Sequence, residues 1–315
     1  MRNFADRLVE RIAEFNNPTV MGLDPKIDYL PESLRNKWLK EVCNPEEANA
    51  LALYDFNCQL IDAVCDIVPA IKPQHAYYEM YGIEGLKTLQ KTIKYAQSKG
   101  MLVISDAKRN DIGATATCYA EAILGKTSII DGSDINVFGS DAVTINGYLG
   151  IDGVKPFIDV SLREGTGIFN LVRTSNPSAG DIQDLILENG KTVYQAMAMK
   201  VDEWGKDLIG DSGFSSLGAV VGATWPEQAV DARKLMPNAI ILVPGYGAQG
   251  AGPDSAVASF TKDGKGSIVN ASRSLMCAWK KREDLAPEDF AKATCDEAID
   301  MKNKLNAALS DRKYC

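Results

Sequence analysis

The chain has 315 residues, 45% of them hydrophobic, and a formal net charge of −8; this length can bury one large core. Its Lys and Arg are dispersed, which argues against nucleic acid or an anionic membrane surface as a partner. Cysteines at positions 43, 58, 65, 118, 277, 295 and 315 form no Cys-x-x-Cys pair, which argues against a zinc site or a disulfide framework. Residues 1–15 are amphipathic, with Arg2, Asp6, Arg7, Glu10 and Arg11 on the polar side, and lack the apolar core of a signal peptide. No stretch approaches the length of a membrane span. The expectation is a cytoplasmic protein with reduced thiols.

Short apolar runs then recur along the chain. They lie at residues 19–23, 67–71, 101–105, 142–145, 168–172, 217–221, 240–243 and 267–270. Most are followed by a polar or Gly-containing turn and an amphipathic stretch, such as residues 85–99 and 226–235. Strands alternating with helices predict a parallel sheet, and eight such units favour a closed (β/α)8 TIM barrel over an open doubly wound sheet. Two connections exceed what a barrel needs. Residues 25–50 follow the first strand, and residues 176–211 follow the fifth with their own helix around residues 193–204. Neither reads as a linker, so residues 1–315 are expected to form a single domain with extended βα loops.

In such barrels the working residues sit where strands end and βα loops begin. The third run leads into Asp106-Ala107-Lys108-Arg109-Asn110-Asp111. Side chains two apart on a strand share a side, so Asp106 and Lys108 would project together, whereas Asp111 lies past the strand. Two readings stand at this point. Asp106 and Lys108 could be a structural ion pair, with Asp111 capping a helix over residues 112–124; or the three could be a reactive array. Other strand ends supply Asp24, Lys72, the segment Arg173-Thr174-Ser175-Asn176-Pro177, and Arg273. The seventh strand runs into Pro244-Gly245-Tyr246-Gly247-Ala248-Gln249-Gly250. Gly-rich loops after strands seven and eight are the usual phosphate site of this fold, and Arg273 adds a bidentate donor suited to phosphate.

Asp106-Ala-Lys108-Arg-Asn-Asp111-Ile112, together with Lys72 and Pro244-Gly-Tyr-Gly-Ala-Gln249-Gly, resembles the orotidine 5′-phosphate decarboxylase family. Thr174-Ser-Asn-Pro177 and the two inserted loops look most like its longer-chain (type 2) subfamily. The resemblance implies decarboxylation of orotidine 5′-monophosphate (OMP) to uridine 5′-monophosphate (UMP), the last step of de novo UMP synthesis, with no metal or organic cofactor. It implies that Lys108 stabilises the C6 carbanion and delivers its proton, within an array of Lys72, Asp106, Lys108 and Asp111. Asp24 and Lys72 resemble the ribose contacts and Ser175 the reader of the pyrimidine amide edge, with Thr174 and Asn176 offering similar chemistry beside it. Gln249, on a mobile loop, and Arg273 resemble the phosphate clamp. Asp111, Ile112 and Thr115 resemble residues lent by a partner subunit, which implies a homodimer with shared sites.

Tyr246 departs from the aliphatic residue common at its position in the family loop. His75 is the only histidine and is expected to have a structural role, since Lys108 already supplies the proton. Trp225-Pro226 reads as the start of a helix with proline near its first position, and residues 290–309 as the final barrel helix. Two alternatives compete. A metal-dependent sugar-phosphate decarboxylase or aldolase of the same barrel superfamily would need an acidic ligand where this chain has Lys72, and a lysine there would repel a divalent cation. A non-catalytic nucleotide-binding module would have no use for Lys108 among acids.

Overall fold

A computed structural model describes residues 2–247 and 250–312. The apolar runs form a closed barrel of parallel strands: β1 (Thr19–Leu23), β2 (Ala70–Pro73), β3 (Leu102–Arg109), β4 (Ala142–Ile145), β5 (Gly167–Arg173), β6 (Ser215–Val221), β7 (Ala239–Val243) and β8 (Ser267–Ala271). Each strand pairs with its neighbours in sequence, and β8 closes on β1 with Thr19 opposite Val269. The (β/α)8 fold expected from the alternation of runs is therefore present. Around it lie α1 (Phe4–Phe15), α2 (Glu32–Glu41), α3 (Pro45–Val64), α4 (Gly82–Ser98), α5 (Gly113–Leu124), α6 (Ile151–Glu164), α7 (Val193–Trp204), α8 (Pro226–Leu235) and α9 (Phe290–Ser310). No helix among the described residues is long and apolar enough to cross a membrane.

Alternation along the strands divides the core in two. Met21, Ile71, Val103, Val143, Ile241, Val243 and Val269 face outward, against the helices. Val20, Ala70, Leu102, Ile104, Ala142, Phe169, Ile240, Leu242 and Ile268 face the barrel interior. Phe4, Ala5 and Leu8 of α1 join that inner cluster, so the amphipathic N-terminal helix plugs the lower end of the barrel. Phe4 meets Phe169 edge-on, with centroids 6.0 Å apart. Gly167 leaves the space: a Cβ there would lie 2.1 Å from the Phe4 ring. Burying Phe4 and Leu8 contributes roughly 1.5–3 kcal/mol each.

Three local expectations shift. The second strand begins at Ala70 rather than residue 67, because the N–H groups of Ile67 and Val68 bond back to the Val64 carbonyl and continue the turn that ends α3. The third strand runs on to Arg109, through a bulge in which Ser105 pairs with Val143 and Arg109 with Ile145. At α5 the N-cap is Ile112, with no side-chain cap; Asp111 sits one residue earlier, and its Oδ1 accepts the Ile112 N–H at 2.8 Å. The inserted segments fold as helices: α2 occupies the first, and α7 the second, where Thr192 and Gln195 form a capping box. Trp225 and Pro226 open α8 as expected.

Candidate active site

The inner row of side chains changes character from bottom to top. Ala70 is followed two residues on by Lys72, Ile104 by Asp106, Ala142 by Thr144 and Ile268 by Asn270. Strand alternation thus delivers four polar side chains to the upper interior of an otherwise apolar barrel. Gly22 lies opposite Lys72 in the β1–β2 register. A Cβ there would lie 1.9 Å from Ser272 Oγ and 3.0 Å from Asn270 Oδ1, so this glycine makes room for the β8 side chains.

Asp106 is the centre of the arrangement and only 6% exposed. Lys72 Nζ donates to its Oδ2 at 2.6 Å, and Lys108 Nζ donates to Oδ1, also at 2.6 Å. Thr144 Oγ1 donates to the same Oδ1 at 2.8 Å. Its main chain is held as well, since the Asp106 carbonyl accepts the His75 N–H. Burial alone would favour the neutral acid, but Lys72 and Lys108 outweigh it and hold the Asp106 carboxyl well below the usual carboxylate range. The converse applies to Lys72, 4% exposed. Burial works against its ammonium, while Asp106 and Asp24 push its pKa above the ordinary lysine value. The site therefore keeps Asp106 negative and Lys72 positive in a nearly dry environment, with the half-exposed Lys108 side chain tethered at the mouth. Such fixed charges stabilise a developing carbanion without reorganising.

Above this array opens a cavity of about 410 Å³ lined by Asp24, Lys72, Tyr77, Asp106, Tyr246 and Arg273, among others. Burial raises the Asp24 pKa despite the nearby Lys72, and Asp24 Oδ1 has no hydrogen-bond partner. Asn270 Oδ1 is likewise unpartnered and lines the same cavity. Two buried acceptors facing one space would suit a ligand that brings hydroxyl donors. At the rim, Gly245 and Gly247 adopt φ of 104° and 68°, which explains the glycines of this loop. Arg273 is exposed beside them and forms no ion pair among the described residues, which leaves a cation available to an anionic ligand.

Not every sequence candidate converges here. Ser175 follows β5, against Gly222 of the next strand's loop, and its hydroxyl has no partner among the described residues. Its neighbours are engaged: Thr174 Oγ1 donates to Asn176 Oδ1 at 2.7 Å and accepts from Gln183 Nε2 at 2.8 Å. Asp111, Ile112 and Thr115 stand apart from the cavity lining. Ile112 is 53% exposed and Thr115 is also exposed, and Asp111 makes no ion pair among the described residues. Gln249 lies outside the described residues. His75 is buried, and burial with Arg109 nearby lowers its pKa to about 4; its ring packs on Phe138 and takes no part in the Asp106 array.

Sequence reasoning missed Thr144, Asn270 and Ser272. The signal was present for the first two, since each is a polar residue within an apolar run and in phase with inward-facing positions.

Comparison with known proteins yields one family. A sequence model described as "Orotidine 5′-phosphate decarboxylase / HUMPS family" matches residues 43–286. An orotidine 5′-phosphate decarboxylase of Rhodopirellula baltica is 44% identical over 283 residues, covering 90% of this chain and 91% of the relative. Its counterpart from Caldicellulosiruptor saccharolyticus is 39% identical over 310 residues, covering 98% and 100%. Among solved structures, the putative orotidine 5′-phosphate decarboxylase of Streptomyces avermitilis superposes with a TM-score of 0.77 at 30% identity, covering 98% of this chain and 97% of that one.

Proposed function

This chain belongs to the orotidine 5′-phosphate decarboxylase family, and we infer from that premise how its barrel mouth works as a carboxy-lyase. It decarboxylates OMP to UMP in pyrimidine biosynthesis. The family model also spans HUMPS enzymes, so it does not by itself separate the decarboxylase from its barrel relatives; the named relatives at 37–44% identity favour the decarboxylase.

The observation that carries the reading at residue level is the Lys72–Asp106–Lys108 array, with one ammonium on each oxygen of a buried carboxylate. In the assignment proposed here, loss of carbon dioxide leaves an electron pair at C6, in the ring plane and poorly delocalised. The Lys108 ammonium stabilises that pair and then transfers a proton to C6. Asp106 would lie beside the departing carboxylate and, with Lys72, fix the position of Lys108. An Lys72 ammonium sits on Asp106 Oδ2, where a metal-dependent relative would need room for a divalent cation.

Asp24 and Lys72 are assigned to the ribose hydroxyls, supported by the unpartnered Asp24 oxygen. Arg273 is assigned to the phosphate, with Gln249 as its second arm. Ser175 is assigned to the pyrimidine edge, supported by the engagement of both neighbouring side chains. Asp111, Ile112 and Thr115 are assigned to a partner copy's site in a homodimer, supported by the exposure of Ile112 and Thr115 and by the absence of all three from this chain's own cavity lining. The longer-chain subfamily is proposed from the segments that carry α2 and α7.

The test is an ultraviolet assay of OMP loss in the presence of EDTA, with Lys108→Ala alongside. Turnover that survives EDTA and disappears in the variant supports the assignment. Dependence on added magnesium, or full activity of Lys108→Ala, overturns it.

A further inference from the structure

Among the described residues, Lys108 and Asn16 are the two non-glycine residues with left-handed backbone, Lys108 at φ 47°, a conformation that is uncommon and strained for an ordinary side chain. The bulge in β3 explains how it arises. Between Ser105 and Arg109 the strand has two more residues than the facing stretch of β4 between Val143 and Ile145, so the Lys108 N–H has no ladder carbonyl opposite it. A partly buried amide left without a ladder partner gains from another acceptor. Thr144, between the paired Val143 and Ile145 and 1% exposed, supplies one: its Oγ1 accepts the Lys108 N–H at 3.0 Å. The same hydroxyl donates to Asp106 Oδ1 at 2.8 Å. Direction is fixed at both ends, because an amide N–H can only donate and an ionised carboxylate can only accept.

We propose that Thr144 is a positioning residue for Lys108. Its hydroxyl ties the strained Lys108 backbone to the carboxylate that also holds the Lys108 ammonium. Asp106, Thr144 and Lys108 thereby form a closed ring: Lys108 Nζ to Asp106 Oδ1, Asp106 Oδ1 to Thr144 Oγ1, and Thr144 Oγ1 to Lys108 N. Each link constrains the next, so the ammonium is held from its own backbone as well as from its tip. Displacement of a reacting group by about 1 Å can lower turnover by about a hundredfold. A fixed proton donor therefore gains from a second anchor.

The inference rests on Lys108 being the proton donor, and the experiment separates the two. Thr144→Val keeps the shape and removes the hydroxyl, Thr144→Ser keeps the hydroxyl, and Lys108→Ala reports on the underlying reading. Each is measured for kcat, KM and thermal midpoint, and the exchange of the Lys108 amide is followed in the folded protein. The expected result is a kcat for Thr144→Val lower by about tenfold to a hundredfold with KM nearly unchanged. Thr144→Ser should restore most of the rate, and amide protection should be lost only in the valine variant. A purely structural role would lower the thermal midpoint and leave kcat per folded molecule intact; that result overturns the proposal. So does a kcat that falls equally in both variants, or an amide that stays protected in Thr144→Val. Inactivity of Lys108→Ala beside a fully active Thr144→Val sinks this inference alone, whereas full activity of Lys108→Ala sinks the reading beneath it.

Discussion

Lys72 Nζ lies 2.6 Å from Asp106 Oδ2, and both side chains are less than 10% exposed. Two charges so deeply placed are viable only as partners, because each offsets the desolvation of the other. Replacing Lys72 by Met, similar in length and uncharged, leaves Lys108 as the one ammonium on Asp106 and removes the cation beside Asp24. Breaking a buried pair costs about 3–5 kcal/mol, and removing a preorganised charge from a dry site lowers kcat by at least about a hundredfold. Denaturant melts and steady-state kinetics on the pure variant check both. A Lys72→Met protein as stable and as fast as the parent would show that this pair does not organise Asp106.

His75 gives a stability signature separate from catalysis. Burial, helped by Arg109 and opposed by Glu79 and Asp106, lowers its pKa from 6.5 to about 4. Its folded pKa lies below the unfolded one, so the unfolded chain binds the extra proton between these values. The group's contribution is present above pH 6.5 and lost as pH falls through about 4. The whole swing is on the order of 3 kcal/mol. His75→Gln should flatten the stability profile in that window and leave kcat near the parent value. Chemical denaturation at half-unit pH steps gives the answer, and an unchanged slope would mean that His75 is solvated in the fold.

These two residues also mark how far the sequence could be read. Every barrel strand was visible, because short branched runs bounded by turns have few alternatives at this length; Ala142–Ile145 matches the expected run at both ends. The inner row was legible in principle from parity, since Lys72 and Asp106 each lie two residues beyond a buried apolar partner. The bulge at Lys108 was not legible. Its left-handed backbone depends on a mismatch between β3 and β4 that neither strand carries alone. The start of β2 was misplaced for a similar reason: Ile67 and Val68 are as apolar as a strand requires, but the preceding helix captures their amides. The Asp106–Lys108 pair was legible from their spacing and the pairing with Lys72 only through the resemblance, whereas the Thr144 link depends on tertiary register and was not legible.

The choice among Thr174, Ser175 and Asn176 can be settled by substitution. The Thr174 hydroxyl already bonds to Asn176 and Gln183, and Gln183 Oε1 in turn accepts from the Thr174 N–H and from Arg173. This knot braces the loop after β5 and leaves the Ser175 hydroxyl for a ligand. Ser175→Ala should therefore weaken substrate binding or transition-state binding by about 1–3 kcal/mol with little loss of thermal midpoint. Thr174→Val should do the reverse, loosening the loop and lowering the midpoint. Matched kinetics and melting curves for the two variants test this. A larger kinetic defect in Thr174→Val at equal stability would move the pyrimidine contact to Thr174.

Asp111 carries the prediction about assembly. Within one chain its Oδ1 is occupied by the neighbouring Ile112 N–H, and it forms no ion pair with Lys72 or Lys108. Beside it, Ile112 at the N-cap of α5 and Tyr119 within the helix expose apolar surface, as expected of a face that meets a second copy. If Asp111 completes the partner's array, Lys108→Ala and Asp111→Ala damage a site from opposite subunits. Each homodimer is then inactive or nearly so. In a mixed dimer, one site carries both defects and the other carries neither. Random re-association of equal amounts should therefore restore about one quarter of the parent activity. Refolding the two variants together and assaying the mixture measures this directly. Additive activity with no recovery, in a mixture shown by mass to contain mixed dimers, would place Asp111 in its own chain's site and remove the shared-site reading.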